Sequence, residues 1–151
     1  MRLRILGCSG GIGEGTYTTS FLLDQDILID AGSGVGTLSS ADLARLRHVF
    51  LTHAHLDHIC FLPQLVDSAF EDLLRHGPLQ IHALPETIQA LRTHIFNGAI
   101  WPDFTALPNP ETPVMVFTPM EIGAAQYLNG RGIVMLPAVH PVPAAGYLLK
   151  G

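Results

Sequence analysis

His48-Val49-Phe50-Leu51-Thr52-His53-Ala54-His55-Leu56-Asp57-His58 opens as a short apolar strand and closes on three imidazoles and a carboxylate, from His53 to His58. Four ligand-type side chains so close together cannot all face one way along a strand or helix. A tight loop at the end of a buried strand splays them toward two neighbouring points in space. Borderline metals such as zinc take His nitrogen and Asp oxygen together, so the spacing His-x-His-x-Asp-His points to a metal site. Two ions about 3.5–4 Å apart would hold a bridging hydroxide, polarise a phosphoryl or carbonyl oxygen and stabilise a leaving oxygen. A loop whose histidines only cap strand ends fits this density of ligands poorly.

Outward from this run, His140 follows the apolar stretch Ile133 to Val139 and precedes Pro141, so it also sits at a strand end. Beside a loop that lacks a third ligand for its first ion, His140 reads as that ligand. Asp30 ends another apolar run but neighbours Gly32 and Gly34, which suits an acceptor that orients a histidine. His48, His76, His82 and His94 lie without evident partners and read as structural. Cys60, at the start of an apolar helix, reads as buried.

The chain has 151 residues, enough for one domain with a real core. Charged residues are only 14 %, below the roughly 25 % of an average domain. Such a chain hides much of its surface or belongs to a larger fold. Net charge is −5, with eight Lys and Arg scattered singly, which argues against a nucleic acid as partner. A small phosphate ester stays compatible, because bound metal ions supply local positive charge. Two cysteines, Cys8 and Cys60, make no disulfide framework and fit a reducing compartment. No segment has transmembrane or signal-peptide length, so the cytoplasm is the expected location and no membrane partner is expected.

Local patterns supply the elements. Leu3 to Leu6 predicts a strand that runs into the glycine-rich stretch Gly7 to Gly15, read as a loop at the rim of a site because no phosphate-binding Gly-Lys-Ser/Thr follows. Ser20 to Leu23 and Ile27 to Ile29 predict a hairpin, and Ser39 or Ser40 the cap of a short helix. Leu62 to Leu74 has one apolar face at helical spacing and predicts a single helix ended by Gly77-Pro78. Further strands are predicted at Leu79 to Ala83, Val114 to Phe117, Ile133 to Val139 and Ala145 to Leu149. A helix opens at Pro85, and Trp101 to Pro113 is a loop. The fold class is therefore α/β in the layered sense, with helices covering at least one face of a sheet.

His53-Ala54-His55-Leu56-Asp57-His58, with Asp30 before it and His140 after it, resembles the metallo-β-lactamase superfamily. The runs Thr52 to Pro63, Leu91 to Pro102 and Val139 to Tyr147 look more narrowly like class II cyclic-nucleotide phosphodiesterases. The resemblance covers nearly the whole chain from Leu3 onward. It implies an αββα sandwich with two zinc ions at one edge of the sheets; manganese and iron are the other metals the donor set accepts. His53, His55 and His140 would hold one ion, while Asp57 and His58 contribute to the other, Asp57 also serving catalysis. The implied reaction is hydrolysis of 3′,5′-cyclic AMP or GMP to the 5′-monophosphate. Relatives of this fold also include tRNA 3′-processing nucleases and thioester hydrolases, and a non-catalytic metal-binding fragment is a third reading.

The family pattern continues past the His140 strand to a metal-bridging Asp, usually before Thr-Gly, and later to a further His. No Asp or His follows His140 here. The expectation is thus one metallo-β-lactamase-like domain over 1–151, truncated at its C-terminus and holding the N-terminal portion of the sandwich. A homodimer whose copies complete each other is the alternative.

Overall fold

The computed structural model describes residues 1–151. Strands β1 (Leu3–Gly7), β2 (Ser20–Leu23), β3 (Ile27–Ile29), β4 (His48–Phe50), β5 (Leu79–Ala83) and β6 (Met115–Pro119) form a six-stranded sheet in sequence order. The first three pair antiparallel, and β3 through β6 run parallel. A parallel pair needs a crossover, and helices supply each one. Helix α1 (Ser40–Leu43) links β3 to β4, α2 (Leu56–Ile59), α3 (Leu62–Ser68) and α4 (Phe70–His76) link β4 to β5, and α5 (Pro85–His94) leads toward β6. A second, antiparallel sheet holds β7 (Ala125–Leu128), β8 (Arg131–Pro137) and β9 (Ala145–Lys150).

Central strands buried on both faces read as unbroken apolar runs, and β3 and β4 show what the alternation does. Leu28, Val49 and Leu51 point into the core shared with helices α2 to α5, beside Leu62, Leu65, Leu73 and Leu91. Ile27, Ile29 and Phe50 point the other way, against Ile133 and Met135 of the second sheet. The layers are therefore helices, large sheet, small sheet. These are three of the four layers of the αββα sandwich that the resemblance implies. The outer face of the small sheet leaves Tyr127, Leu136 and Leu148 exposed.

The ion pairs at the far end of the sheets are directional. Arg131 at the start of β8 is buried, and its guanidinium grips Asp26 bidentately at 2.6 and 2.8 Å and reaches Asp24 at 3.1 Å. Both carboxylates belong to the β2–β3 turn, so this cluster ties the two sheets together. At the opposite end, the Ala145 N–H donates to the Thr52 carbonyl at 2.9 Å and the Tyr147 hydroxyl to the Leu51 carbonyl at 2.7 Å.

Several expectations need correction. The helix predicted from Leu62 to Leu74 is two seven-residue helices that run on to His76, because Ala69 (φ −98°, ψ 6°) leaves helical geometry. Hydrogen bonds from Ala69 to Leu65 and from Leu73 to Ala69 still carry the turn onward, so Leu62, Leu65, Val66, Ala69 and Leu73 stay on one buried face. Strand β7 was not predicted. Cys60 is exposed, as is Cys8, since it falls on the outward side between the buried Ile59 and Leu62. His48 and His82 are not solitary: Nδ1 of His48 lies 3.0 Å from Nε2 of His82, and the His82 ring stacks on Phe50 at 4.2 Å. No helix is long and apolar enough to cross a membrane.

Candidate metal centre

Ligand sites in sheets of this kind gather at the C-terminal ends of parallel strands. Here the ends of β3 and β4 are adjacent, since Ile29 pairs with Phe50. Asp30 leaves β3 and Thr52-His53 leave β4, so both reach the same edge. His55 is the N-cap of α2, and that one-turn helix places Asp57 and His58. The His-rich run is thus a loop from Thr52 to His55 followed by a helical turn, rather than a loop throughout.

The turn is held against the strand end by close backbone approach. The Ala31 N–H donates to the His58 carbonyl at 2.7 Å, and the Phe61 N–H to the Ala31 carbonyl at 2.9 Å. Gly32 lies between them: a Cβ there would collide with the Asp57 carbonyl oxygen and the Thr18 hydroxyl. Only glycine fits.

Asp30 is 1 % exposed and has φ 58°, in the left-handed region that Asp tolerates better than most residues. Its carboxylate accepts from the Thr52 N–H at 2.8 Å and from the Thr52 hydroxyl at 2.8 Å, and it accepts from Nδ1–H of His58 at 2.6 Å. That bond fixes the His58 tautomer and turns Nε2 toward Asp57, whose Oδ2 lies 3.3 Å away. Burial opposes charge on His58, but the Asp30 hydrogen bond and the charges of Asp30 and Asp57 outweigh it, and its pKa is raised.

His140 arrives from the other sheet. It sits in the loop joining β8 to β9, which the Ala145–Thr52 bond hangs on the end of β4. Nitrogens of His53, His55 and His140 lie within 4.8 Å of one another. Nε2 of His140 is 3.3 Å from Nδ1 of His55, and the His53 ring stands 4.7 Å from His55, 4.5 Å from His140 and 4.2 Å from His58. His53 is the buried member and the other two of the trio are exposed. Burial first, then the neighbouring imidazoles, lowers the His53 pKa to about 4, so it stays neutral with a free lone pair. Three imidazole nitrogens converging on one point, open on one side, make a donor set that fits a borderline divalent metal ion. Asp57 and the outward nitrogen of His58 lie beside it.

All six residues singled out in the sequence therefore meet at one edge. His53, His55 and His140 form one group, Asp57 and His58 an adjoining pair, and Asp30 stands behind His58. His76 and His94 end helices α4 and α5 and are exposed.

Comparison with known proteins places this geometry. Residues 38–122, more than half of the chain, match the model of the class-II cAMP phosphodiesterases. The 3′,5′-cyclic-nucleotide phosphodiesterase 1 of Saccharomyces cerevisiae is 37% identical over 73 residues, 48% of this chain and 20% of the relative. A ribonuclease Z from Bacteroides fragilis is 33% identical over 153 residues, 97% of this chain and 48% of the relative. The chain thus spans between a fifth and about half of the length of these curated relatives. Among solved structures, unliganded yeast PDE1 superposes with TM-score 0.71 at 18% identity, covering 97% of this chain and 59% of that one. The metallo-beta-lactamase fold protein YhfI from Bacillus subtilis gives 0.70 at 18% identity, covering 98% and 56%. Those two likenesses establish the fold, and the family match goes further: the chain belongs to the class-II cAMP phosphodiesterases.

Proposed function

We propose that this protein is a metal-dependent hydrolase that opens 3′,5′-cyclic nucleotides, cyclic AMP or cyclic GMP, to 5′-monophosphates. The convergence of His53, His55 and His140 from two sheets onto one point carries the reading, together with the family match. In it, those three hold one zinc ion, and Asp57 with His58 contributes to a second. Divalent ions held there would supply Lewis acidity toward the phosphoryl oxygen and make water more acidic.

The chain's own residues do the rest. Neutral His53 offers its lone pair without first losing a proton. Asp30 locks the His58 ring so that one nitrogen faces the site. Asp57, partly exposed beside Nε2 of His58, is placed to accept the proton of an attacking water. The water oxygen bonds to phosphorus in line with the P–O3′ bond, which breaks; the 3′ oxygen takes a proton, and the 5′-monophosphate leaves. The two unpaired cysteines support a reducing, cytoplasmic setting.

A second reading has an observation behind it: the alignment to a ribonuclease Z runs along 97% of this chain. Against it stands the charge. With eight Lys and Arg and a net −5, no basic stripe tracks a nucleic-acid backbone. The test is purified protein loaded with zinc or manganese and offered cyclic AMP, cyclic GMP and a tRNA precursor. Turnover of a cyclic nucleotide with the tRNA untouched is expected. A metal-loaded protein that leaves both cyclic nucleotides intact overturns the proposal.

A further inference from the structure

Two solvent-open grooves flank the imidazole cluster. One, about 600 Å³, runs along the His140 loop and includes Leu84, Ile122, Val139 and Val142 in its wall. The other, about 310 Å³, adjoins His55 and Ala54. They share a ridge made by Glu86, Val142 and Pro143. Glu86 is the one carboxylate in either wall and has no ion-pair partner. Ile122 is 46% exposed and Val139 fully so, although both are large apolar residues. Isolated exposed apolar residues need no explanation, but a group of them beside a polar cluster marks a binding surface.

This combination selects a ligand chemistry. An apolar wall next to the reacting centre suits a flat ring, and a lone carboxylate on its rim suits two adjacent donors. Guanine presents N1–H and its exocyclic amino group side by side, matching the two oxygens of one carboxylate. Adenine presents on the same edge one amino donor and one acceptor nitrogen, and a carboxylate repels the latter. We infer that the open, partly apolar groove beside His140 is the base subsite and that Glu86, exposed on its rim, reads its occupant as guanine. The inference rests on the phosphodiesterase reading for the position of the phosphate, and it adds the preferred base. Glu86 also sits in the first turn of α5, where a negative charge is favourable at a helix start. That role alone predicts no discrimination between bases.

The test separates the two. Binding of the products 5′-GMP and 5′-AMP, which are not turned over, is titrated on the full-length protein and on Glu86→Gln. The expected result is GMP bound about 10–100-fold more tightly than AMP by the unmodified protein. In Glu86→Gln the ratio should collapse or invert, because the amide accepts from the adenine amino group and donates to N1. Thermal stability should fall only slightly, by what the loss of one charge at a helix start costs, and equally with either nucleotide bound. Equal affinities in the unmodified protein, absence of binding by either nucleotide, or a parallel change in both for Glu86→Gln overturns the inference. Hydrolysis followed in parallel keeps the premise separate. Guanine-selective binding without turnover of cyclic GMP or cyclic AMP leaves the subsite standing and removes the activity. Turnover of both with an unaltered ratio in Glu86→Gln does the reverse.

Discussion

Nδ1 of His58 lies 2.6 Å from Oδ2 of Asp30, a carboxylate that also accepts from both the amide and the hydroxyl of Thr52. The bond joins the ends of β3 and α2, and it decides which His58 nitrogen faces the site. An acceptor behind a metal-binding histidine typically accounts for about 10–100-fold in metal affinity. Asp30→Asn keeps the shape and loses the charge, so metal titration should show a loss of that size. An unchanged affinity would mean that His58 binds no metal.

Asp57 and His76 form a matched pair of opposites. Asp57 is half-buried beside His58, whereas His76 is exposed in the last turn of α4. Asp57→Ala should lower cyclic-nucleotide turnover by about 100-fold or more and reduce the metal retained after dialysis. His76→Ala should leave both within about twofold, as surface substitutions usually do. Equal losses in the two variants would put the catalytic centre elsewhere.

The reasons some of this was legible beforehand lie in particular residues. Ile27 to Ile29 and His48 to Leu51 are short apolar runs ending in polar residues, and strand direction alone carries Asp30 and His53 to the same edge. Their pairing was not legible, because the parallel register of Ile29 with Phe50 joins segments separated by a crossover. The same holds for His48 and His82, brought together only when β4 and β5 align Phe50 with His82. Ala125-Gln126-Tyr127-Leu128 lacks β-branched residues, so β7 gives no strand signal and owes its form to pairing with β8.

His82 makes stability depend on pH. Burial first, then the charge of His48, lowers its pKa from 6.5 to about 4. A group whose folded pKa lies below its unfolded one takes up protons more readily when unfolded, so its contribution is complete above pH 6.5 and declines as pH falls toward 4. His82→Phe keeps the stacking on Phe50 and removes the titration, while the half-buried His48 can turn to water. Denaturant unfolding from pH 7.5 to 4.5 should therefore fall less steeply for His82→Phe than for the unmodified protein. Parallel curves would mean that the buried ring does not govern this range.

Arg131 tests whether the second sheet positions the imidazole cluster from a distance. It grips Asp26 and Asp24 at the end of the sheets opposite the imidazoles, and its hydrogen bond to Asp26 is the main cause holding that carboxyl below the usual range. Arg131→Met keeps most of the apolar stem but leaves two carboxylates facing a gap, at a cost of about 2–4 kcal/mol for a partly exposed cluster. Because Asp26 is lowered in the folded protein, the stability it lends is present above the ordinary carboxylate pKa and is lost as pH falls through the folded value. The deficit of Arg131→Met should therefore shrink in acid. His140 rides on the same β8–β9 hairpin, so looser docking of the small sheet should also weaken metal binding, while His53 and His55 stay in place on the large one. Loss of stability with undiminished metal affinity would show instead that the Ala145–Thr52 and Tyr147–Leu51 bonds hold the His140 loop unaided.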